Sequence, residues 1–237
     1  MLFCGIEKVS LNDYPEKISC VLFTAGCNFF CPYCHNPSAV KICKESLIDE
    51  EYIFHFINKR KFLYDGVVLS GGEPTIQDDI VDICRRIKAL GFKIKLDTNG
   101  SRPETIEQLL TDKLVDYVAM DIKASVDIHS YRKFTAEPDI VSSIKNSVSL
   151  IMDKAPDYEF RTTCVKPFIN KTVIESISLS IKDAKKYTLQ KFNSYALEIL
   201  DKNFIKDNNH MIEKEGISEL VNVACSNVKQ CGESLSL

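Results

Sequence analysis

Segments of strand character alternate with segments of helical periodicity about six times along 237 residues, and few architectures fit that rhythm. KISCVLFTAG (17–26), GVVLSG (66–71), FKIKLDTNG (92–100), VDYVAMDIK (115–123), DYEFRTTCV (157–165) and KYTLQKF (186–192) are rich in the Val, Ile, Phe, Tyr and Thr that strands favour. Between them, DDIVDICRRIKALG puts Ile80, Ile83, Cys84, Ile87 and Leu90 on one helical face, with Gly91 just past its end. Pro103 suits the first turn of a helix that turns Ile106, Leu109 and Leu110 inward. Further stripes run through Ile140, Val141, Ile144, Val148 and Ile151, and through Val173, Ile174, Ile177 and Ile181. Sequential β-α units with right-handed crossovers give a parallel sheet, open or rolled into a full or partial barrel. No Pro/Gly-rich linker divides the chain, which favours one α/β unit over residues 1–237.

In such a sheet the chemistry collects at the C-terminal ends of the strands. SGGEP (70–74), DTNGS (97–101), DIKAS (121–125) and RTTCVK (161–166) all fall there, so the polar residues line one rim. A net charge of -3 gives no general attraction to nucleic acid or anionic membrane. Glu7, Lys8, Asp13, Glu16 and Lys17 stand where an export signal needs an apolar run, and no stretch approaches the roughly 18 apolar residues of a membrane span. A cytoplasmic protein is expected. Ten cysteines in a reducing compartment point to metal binding, redox chemistry or plain burial.

Three of those cysteines crowd into CNFFCPYCHNP (27–37), which supports several chemistries. Cys31-Pro32-Tyr33-Cys34 has the form of a dithiol redox motif, but Pro37 poorly continues the helix such a motif would open. Cys31-x-x-Cys34-His35 has the form of a haem attachment site, in a chain with no export signal and no evident distal ligand. A structural zinc site needs four ligands, and no second C-x2-C knuckle follows, although His35, Cys43, Cys225 or Cys231 could complete a set. C-x3-C-x2-C also suits a [4Fe–4S] cluster in which each thiolate holds one iron and the fourth iron is open. There the incomplete ligand set is a requirement, because the open iron can bind a substrate.

Joined with SGGEP, the three cysteines and the aromatic Tyr33 before the last of them resemble the signature of the radical S-adenosylmethionine (SAM) enzymes. Cys34-His35-Asn36-Pro37, LDTNG (96–100) and Asp121-x-Lys123 narrow the resemblance to the glycyl-radical-enzyme activases. GIEKVSLNDYPEK, FTAGCNFFCPYCHNP, GVVLSGGEPT, LDTNGSRPE, LVDYVAMDIKA and YEFRTTCV look most like activating proteins of anaerobic ribonucleoside-triphosphate reductase. The resemblance implies a partial parallel (β/α)6 TIM-like barrel, the radical SAM fold, with its core at about residues 15–193. Residues 194–237 would then be a lid, a docking surface or a last strand. It also implies one [4Fe–4S] cluster on Cys27, Cys31 and Cys34, with SAM chelating the open iron. An electron from a donor such as flavodoxin or ferredoxin would cleave SAM to methionine and a 5′-deoxyadenosyl radical, which takes a glycine hydrogen from a partner enzyme. The partner could instead be pyruvate formate-lyase or another lyase. A radical SAM enzyme acting on a small molecule and a metal-binding scaffold without turnover are the remaining rivals.

The resemblance also distributes roles. Gly71, Gly72 and Glu73 match the element that holds the methionyl amino group, where two glycines let backbone approach a ligand closely. A lone GGEP would instead be a tight turn with its glutamate solvated. Asp97 and Asn99, like Asp121 and Lys123, are two apart and so share one face of an extended strand. Lys123 would neutralise the methionyl carboxylate and Asp97 accept from the amino group, while Asp97, Thr98 and Asp121 match a monovalent-cation site of some activases. Structural ion pairs on the rim are the bland alternative. Arg161 matches an arginine near SAM, where planar donors suit a carboxylate. Tyr33 would offer its backbone carbonyl to the adenine edge. Gln190 and Asn193 could reach the nucleoside, although Lys191-Phe192-Asn193 stands where some activases have a histidine. Cys20, Cys84 and Cys164 read as small buried hydrophobes.

Overall fold

The computed structural model describes residues 1–192, 199–204 and 210–235. Eight strands follow one another across a single sheet in chain order: β1 (Phe3–Ser10), β2 (Ser19–Thr24), β3 (Gly66–Gly71), β4 (Lys93–Thr98), β5 (Tyr117–Asp121), β6 (Tyr158–Cys164), β7 (Tyr187–Lys191) and β8 (Cys231–Leu235). The six strands expected from the sequence are β2 to β7, all mutually parallel. Two more flank them. β8 adds in parallel to β7, and β1 folds back antiparallel on β2, with Phe3 opposite Thr24 and Ser10 opposite Ser19. Among the described residues β1 and β8 do not pair with each other, so the barrel is partial and open along one side.

The connections carry α1 (Pro37–Val40), α2 (Glu50–Lys59), α3 (Ile80–Ala89), α4 (Pro103–Thr111), α5 (Ile128–Tyr131), α6 (Ile140–Lys154), α7 (Lys171–Ser180) and α8 (Lys214–Ala224). Their stripes are those the sequence predicts: Ile80, Ile83, Cys84 and Ile87 on α3, and Ile140, Ile144, Val148 and Ile151 on α6, are buried. Asp49 accepts from Tyr52 N–H at the start of α2 and Asn170 from Val173 N–H at the start of α7, which satisfies donors that helix ends otherwise leave open.

Side chains alternate across a strand, so each strand has an outer and an inner row. Leu22, Leu69, Leu96, Met120 and Phe160 face outward and share one core with Ile57, Ile87, Leu109, Ile144 and Ile177 of the helices. Val21, Val68, Tyr117 and Ala119 face inward and form, with Tyr14, a small apolar floor. Toward the C-terminal ends the inner face turns ionic, with Lys95 level with Val68 and Tyr117, Asp97 level with Ala119, and Asp121 level with Arg161. That switch from apolar floor to charged rim places the site.

Candidate active site

The loop carrying Cys27, Cys31 and Cys34 leaves β2 and is tied down from three sides. Gly72 N–H donates to Thr24 O (2.8 Å) and Glu73 N–H to Gly26 O (2.9 Å), which joins it to the end of β3. Asn28 donates to Ser101 Oγ and Glu137 Oε1 (both 2.8 Å) and accepts from Asn99 Nδ2 (3.0 Å). Phe30 N–H donates to Phe134 O (2.7 Å), and Leu200 and Asp201 N–H donate to Cys34 O and Pro32 O (both 3.1 Å). The three thiols are unpaired. They line one cavity of about 600 Å3 together with Ser70, Gly71, Gly72, Glu73, Asp97, Thr98, Asn99, Asp121, Lys123, Arg161 and Gln190, a volume suited to a cofactor-sized ligand.

Burial pushes the Cys27 and Cys31 thiols up to about 12, the Glu73 carboxylate adding to the rise at Cys27 and the Lys123 ammonium opposing it at Cys31. Burial raises Cys34 as well. Ionising three thiols in such a place is costly unless a cationic metal group takes up the charge. Phe29 N–H already points at Cys27 Sγ (3.4 Å), the kind of hydrogen bond that tunes a metal-bound thiolate. Among the described residues no three His, Cys, Asp or Glu side chains lie close enough to hold a single ion, as a closed zinc site would need. The donor set fits an iron–sulfur cluster.

The glycines at the end of β3 have a structural cause different from the one the sequence suggests. A Cβ on Gly72 would overlap the Gly26 carbonyl oxygen and lie 2.9 Å from Ala39 O, and one on Gly71 would lie 2.8 Å from Thr24 O. The close approach is therefore to protein backbone, at the end of β2 for Gly71 and at Gly26 and Ala39 on either side of the cysteines for Gly72. Glu73 is not solvated either. It is 1% exposed, and its carboxylate accepts from Thr75 N–H (3.1 Å), the Thr75 hydroxyl (2.5 Å), the Thr98 hydroxyl (2.7 Å) and Asn99 N–H (2.6 Å). Burial pushes its carboxyl up while these four donors pull it down. What this element leaves for a ligand is backbone.

Across the lumen, Lys123 Nζ donates to Asp121 Oδ2 (2.7 Å) and Arg161 Nε to Asp121 Oδ1 (2.8 Å). Arg161 Nη1 also lies 3.5 Å from Asp97 Oδ1. Lys95, almost wholly buried, closes on the same Asp97 oxygen, and the Ser70 hydroxyl donates to Asp97 Oδ2 (3.0 Å). Burial opposes ionisation of both carboxyls, yet Arg161 with Lys95 holds Asp97, and Arg161 with Lys123 holds Asp121, below the usual range. Lys123 and Arg161 are the two cations of this cluster that line the lumen, while Lys95 backs Asp97 from outside it. A monovalent cation on Asp97, Thr98 and Asp121 fits poorly. Both carboxylates already face ammonium or guanidinium groups, and Thr98, adjacent in the strand, turns its hydroxyl away to Glu73. Asn99 likewise turns to Asn28 and Ser101 instead of sharing the Asp97 cluster.

Tyr33 buries its ring among Phe134, Phe168, Phe192 and Phe204, with centroids 5.6–6.4 Å apart. While Pro32 O and Cys34 O accept from residues 200 and 201, Tyr33 O between them takes part in no backbone hydrogen bond among the described residues. Asn193 lies outside the described residues. Cys20, Cys84 and Cys164 are buried in the core. Cys231 opens β8 opposite Tyr187, the first residue of β7, which puts it at the far end of the sheet from the cysteine loop. Asn28, Lys95, Arg102 and Glu137, which tie the site together, are absent from the sequence-based set. Only Lys95 gave a local signal, as a cation between the apolar Ile94 and Leu96 of KIKLDT.

Similarity to known proteins agrees with this geometry. Residues 21–165 match the model of the radical SAM superfamily. A relative from Methanocaldococcus jannaschii, described as a candidate glycyl-radical enzyme activating enzyme, is 42% identical over 81% of this chain and 80% of its own length. The pyruvate formate-lyase-activating enzyme of Clostridium pasteurianum is 31% identical over 60% of this chain and 62% of that protein. Among solved structures, Streptococcus suis SuiB bound to S-adenosylmethionine superposes with a TM-score of 0.62 at 14% identity, over 90% of this chain and 52% of that one. An archaeal TYW1 superposes at 0.56, with 16% identity over 89% and 72%; at such identities these two establish the fold alone. The chain is a radical SAM enzyme and belongs to the glycyl-radical-enzyme activating enzymes.

Proposed function

We propose that this chain holds a [4Fe–4S] cluster on Cys27, Cys31 and Cys34, binds SAM in the adjoining lumen, and activates an anaerobic ribonucleoside-triphosphate reductase by forming a glycyl radical on it. The observation that carries this reading is the placement of three unpaired thiols on the rim of a cavity whose opposite wall presents Lys123 and Arg161. When bound, the two cofactors supply reductive cleavage of SAM to methionine and a 5′-deoxyadenosyl radical, with the electron coming from a flavodoxin- or ferredoxin-like donor.

The chain's own residues then have separate tasks. Lys123 and Arg161 receive the methionyl carboxylate, already oriented by Asp121 between them. Gly71 and Gly72 offer backbone carbonyls to the amino group, and Glu73 fixes where those carbonyls point. Tyr33 O is available to the adenine edge, and Gln190 reaches the lumen from β7. Asp97 sets the position of Arg161. The proposal includes no monovalent cation, because the carboxylates that would hold one are ion-paired. Ten free cysteines accord with a reducing cytoplasm.

The choice of reductase as partner rests on the motif likeness described above. The Clostridium pasteurianum relative favours the second reading, in which the partner is a pyruvate formate-lyase. Anaerobic reconstitution, dithionite reduction and addition of SAM should yield 5′-deoxyadenosine. An intact cluster that gives none would overturn the enzymatic reading. Mixing with each candidate partner and recording the glycyl-radical EPR signal decides between the two partners, and a Cys27→Ala variant that still cleaves SAM would refute the ligand assignment.

A further inference from the structure

The cysteine loop has two faces. Cys27, Phe29, Cys31, Tyr33 and Cys34 line the lumen, whereas Phe30 projects outward, 59% exposed, and forms one wall of a separate shallow groove. The groove continues over Ile128, Arg132, Lys133 and Ala136. Phe30 and the exposed Ile128 thus put two apolar side chains on one groove beside the cysteine loop. Phe30 N–H donates to Phe134 O (2.7 Å) and the Thr135 hydroxyl to Asn28 O (3.1 Å), so the groove is hydrogen-bonded directly to the cysteine loop.

The charge around the ring is one-sided. Arg132 and Lys133 are exposed, and neither forms an ion pair among the described residues. Glu137 also lines the groove, but both terminal nitrogens of Arg102 (2.7 and 2.8 Å) neutralise it. On a chain of net charge -3, an unpaired basic pair beside an exposed aromatic and an exposed isoleucine makes a local apolar and cationic footprint. Such a footprint complements an acidic protein surface with an apolar centre and steers its approach.

We infer that the Phe30–Ile128–Arg132–Lys133 groove docks a small acidic one-electron carrier protein, delivering the electron through the outer face of the cysteine loop. The inference rests on the proposed function, since only a reducible cluster needs such a donor. It gives the two protein partners separate entrances: the carrier covers the outer face, and the substrate segment keeps the lumen.

The test uses the anaerobically reconstituted protein and a reduced flavodoxin of net negative charge. The variant R132E/K133E is compared with K182E/K229E, which makes the same change in net charge at other exposed lysines. R132E/K133E should weaken flavodoxin binding, read from flavin fluorescence, by about tenfold at low ionic strength, with the gap closing as salt screens it. Flavodoxin-driven 5′-deoxyadenosine formation at subsaturating carrier should fall in proportion, while dithionite-driven formation matches wild type. Equal flavodoxin affinities in all three proteins would overturn the inference. So would unchanged flavodoxin binding with a lower dithionite-driven glycyl-radical yield, which would assign the groove to the substrate protein. Failure of wild type to cleave SAM under dithionite would remove the proposed function instead, and the affinity comparison would still report on the groove.

Discussion

Replacing Glu73 by Gln separates a ligand-binding glutamate from one that builds the site. The carboxylate receives four donors from the protein: Thr75 N–H and hydroxyl, the Thr98 hydroxyl, and Asn99 N–H. An amide has one acceptor oxygen. If that oxygen keeps the three donors at the Oε1 position, the new NH2 group faces Asn99 N–H at a site now 2.6 Å from the Oε2 atom. Two buried donors then oppose each other, each costing about 1–3 kcal/mol, and the three remaining bonds lose their charge assistance. Relief from burying a charge offsets part of this, leaving a net loss of about 3 kcal/mol. For a chain of this length that corresponds to a fall in Tm of about 6–12 °C. The assay is thermal unfolding of the cluster-free protein without SAM, followed by SAM affinity of the reconstituted protein. An unchanged Tm with sharply weaker SAM binding would refute the structural account and return Glu73 to direct ligand contact.

Gly72→Ala should cost about 3 kcal/mol, from overpacking and from strain on the Gly72 and Glu73 hydrogen bonds to Thr24 O and Gly26 O, and should lower iron per chain after reconstitution. Full iron loading at wild-type stability would contradict the close approach. Arg161→Met removes the guanidinium shared by Asp97 and Asp121, and urea unfolding at pH 7 should show a loss of about 3 kcal/mol, the low end for a broken buried pair because Lys95 and Lys123 remain. Asp97, Asp116 and Asp121 all have folded values held below the unfolded one, so their stabilisation is present above about pH 3.9 and is lost as pH falls through the lower folded values. Asp116→Asn, which loses its pairing with Lys88 and Lys93, should therefore flatten the acid limb of a urea-midpoint series and shift the pH 6–8 plateau by a constant amount. A change of slope within that plateau would contradict the assignment.

The parts of the site legible in the sequence are those whose chemistry dictates spacing within a few residues. Cys27, Cys31 and Cys34 had to lie on one loop, and Asp121 and Lys123 on one strand face, so a linear pattern contains them. Asn28 and Glu137 meet across 109 positions, and Glu73 reaches Asn99 across 26; no local pattern encodes such pairs. Asp97 and Asn99 show the limit of period-two reasoning. The strand ends at Thr98, the alternation stops with it, and Asn99 turns to a different neighbour. β1 escaped notice because Glu7 and Lys8 sit in an edge strand with a solvated face, and their charge interrupts the apolar run by which a strand is recognised. β8, CGESL, lacks the β-branched residues that mark a strand and is held by pairing with β7. The apolar stripes of α3, α4 and α6 were legible because burial itself imposes their period.

Among the described residues the outer edges of β1 and β8 are unpaired, which turns the lumen from a tube into a slot. A tube takes a polypeptide only end first, so its substrates are termini or free peptides. A slot can be entered sideways, which lets a folded partner lay an internal bend of its chain against the inner wall while both ends of that chain stay anchored elsewhere. Under the proposed function, such an opening would admit an interior glycine on a projecting loop, and its parent protein would not need to unravel to present it.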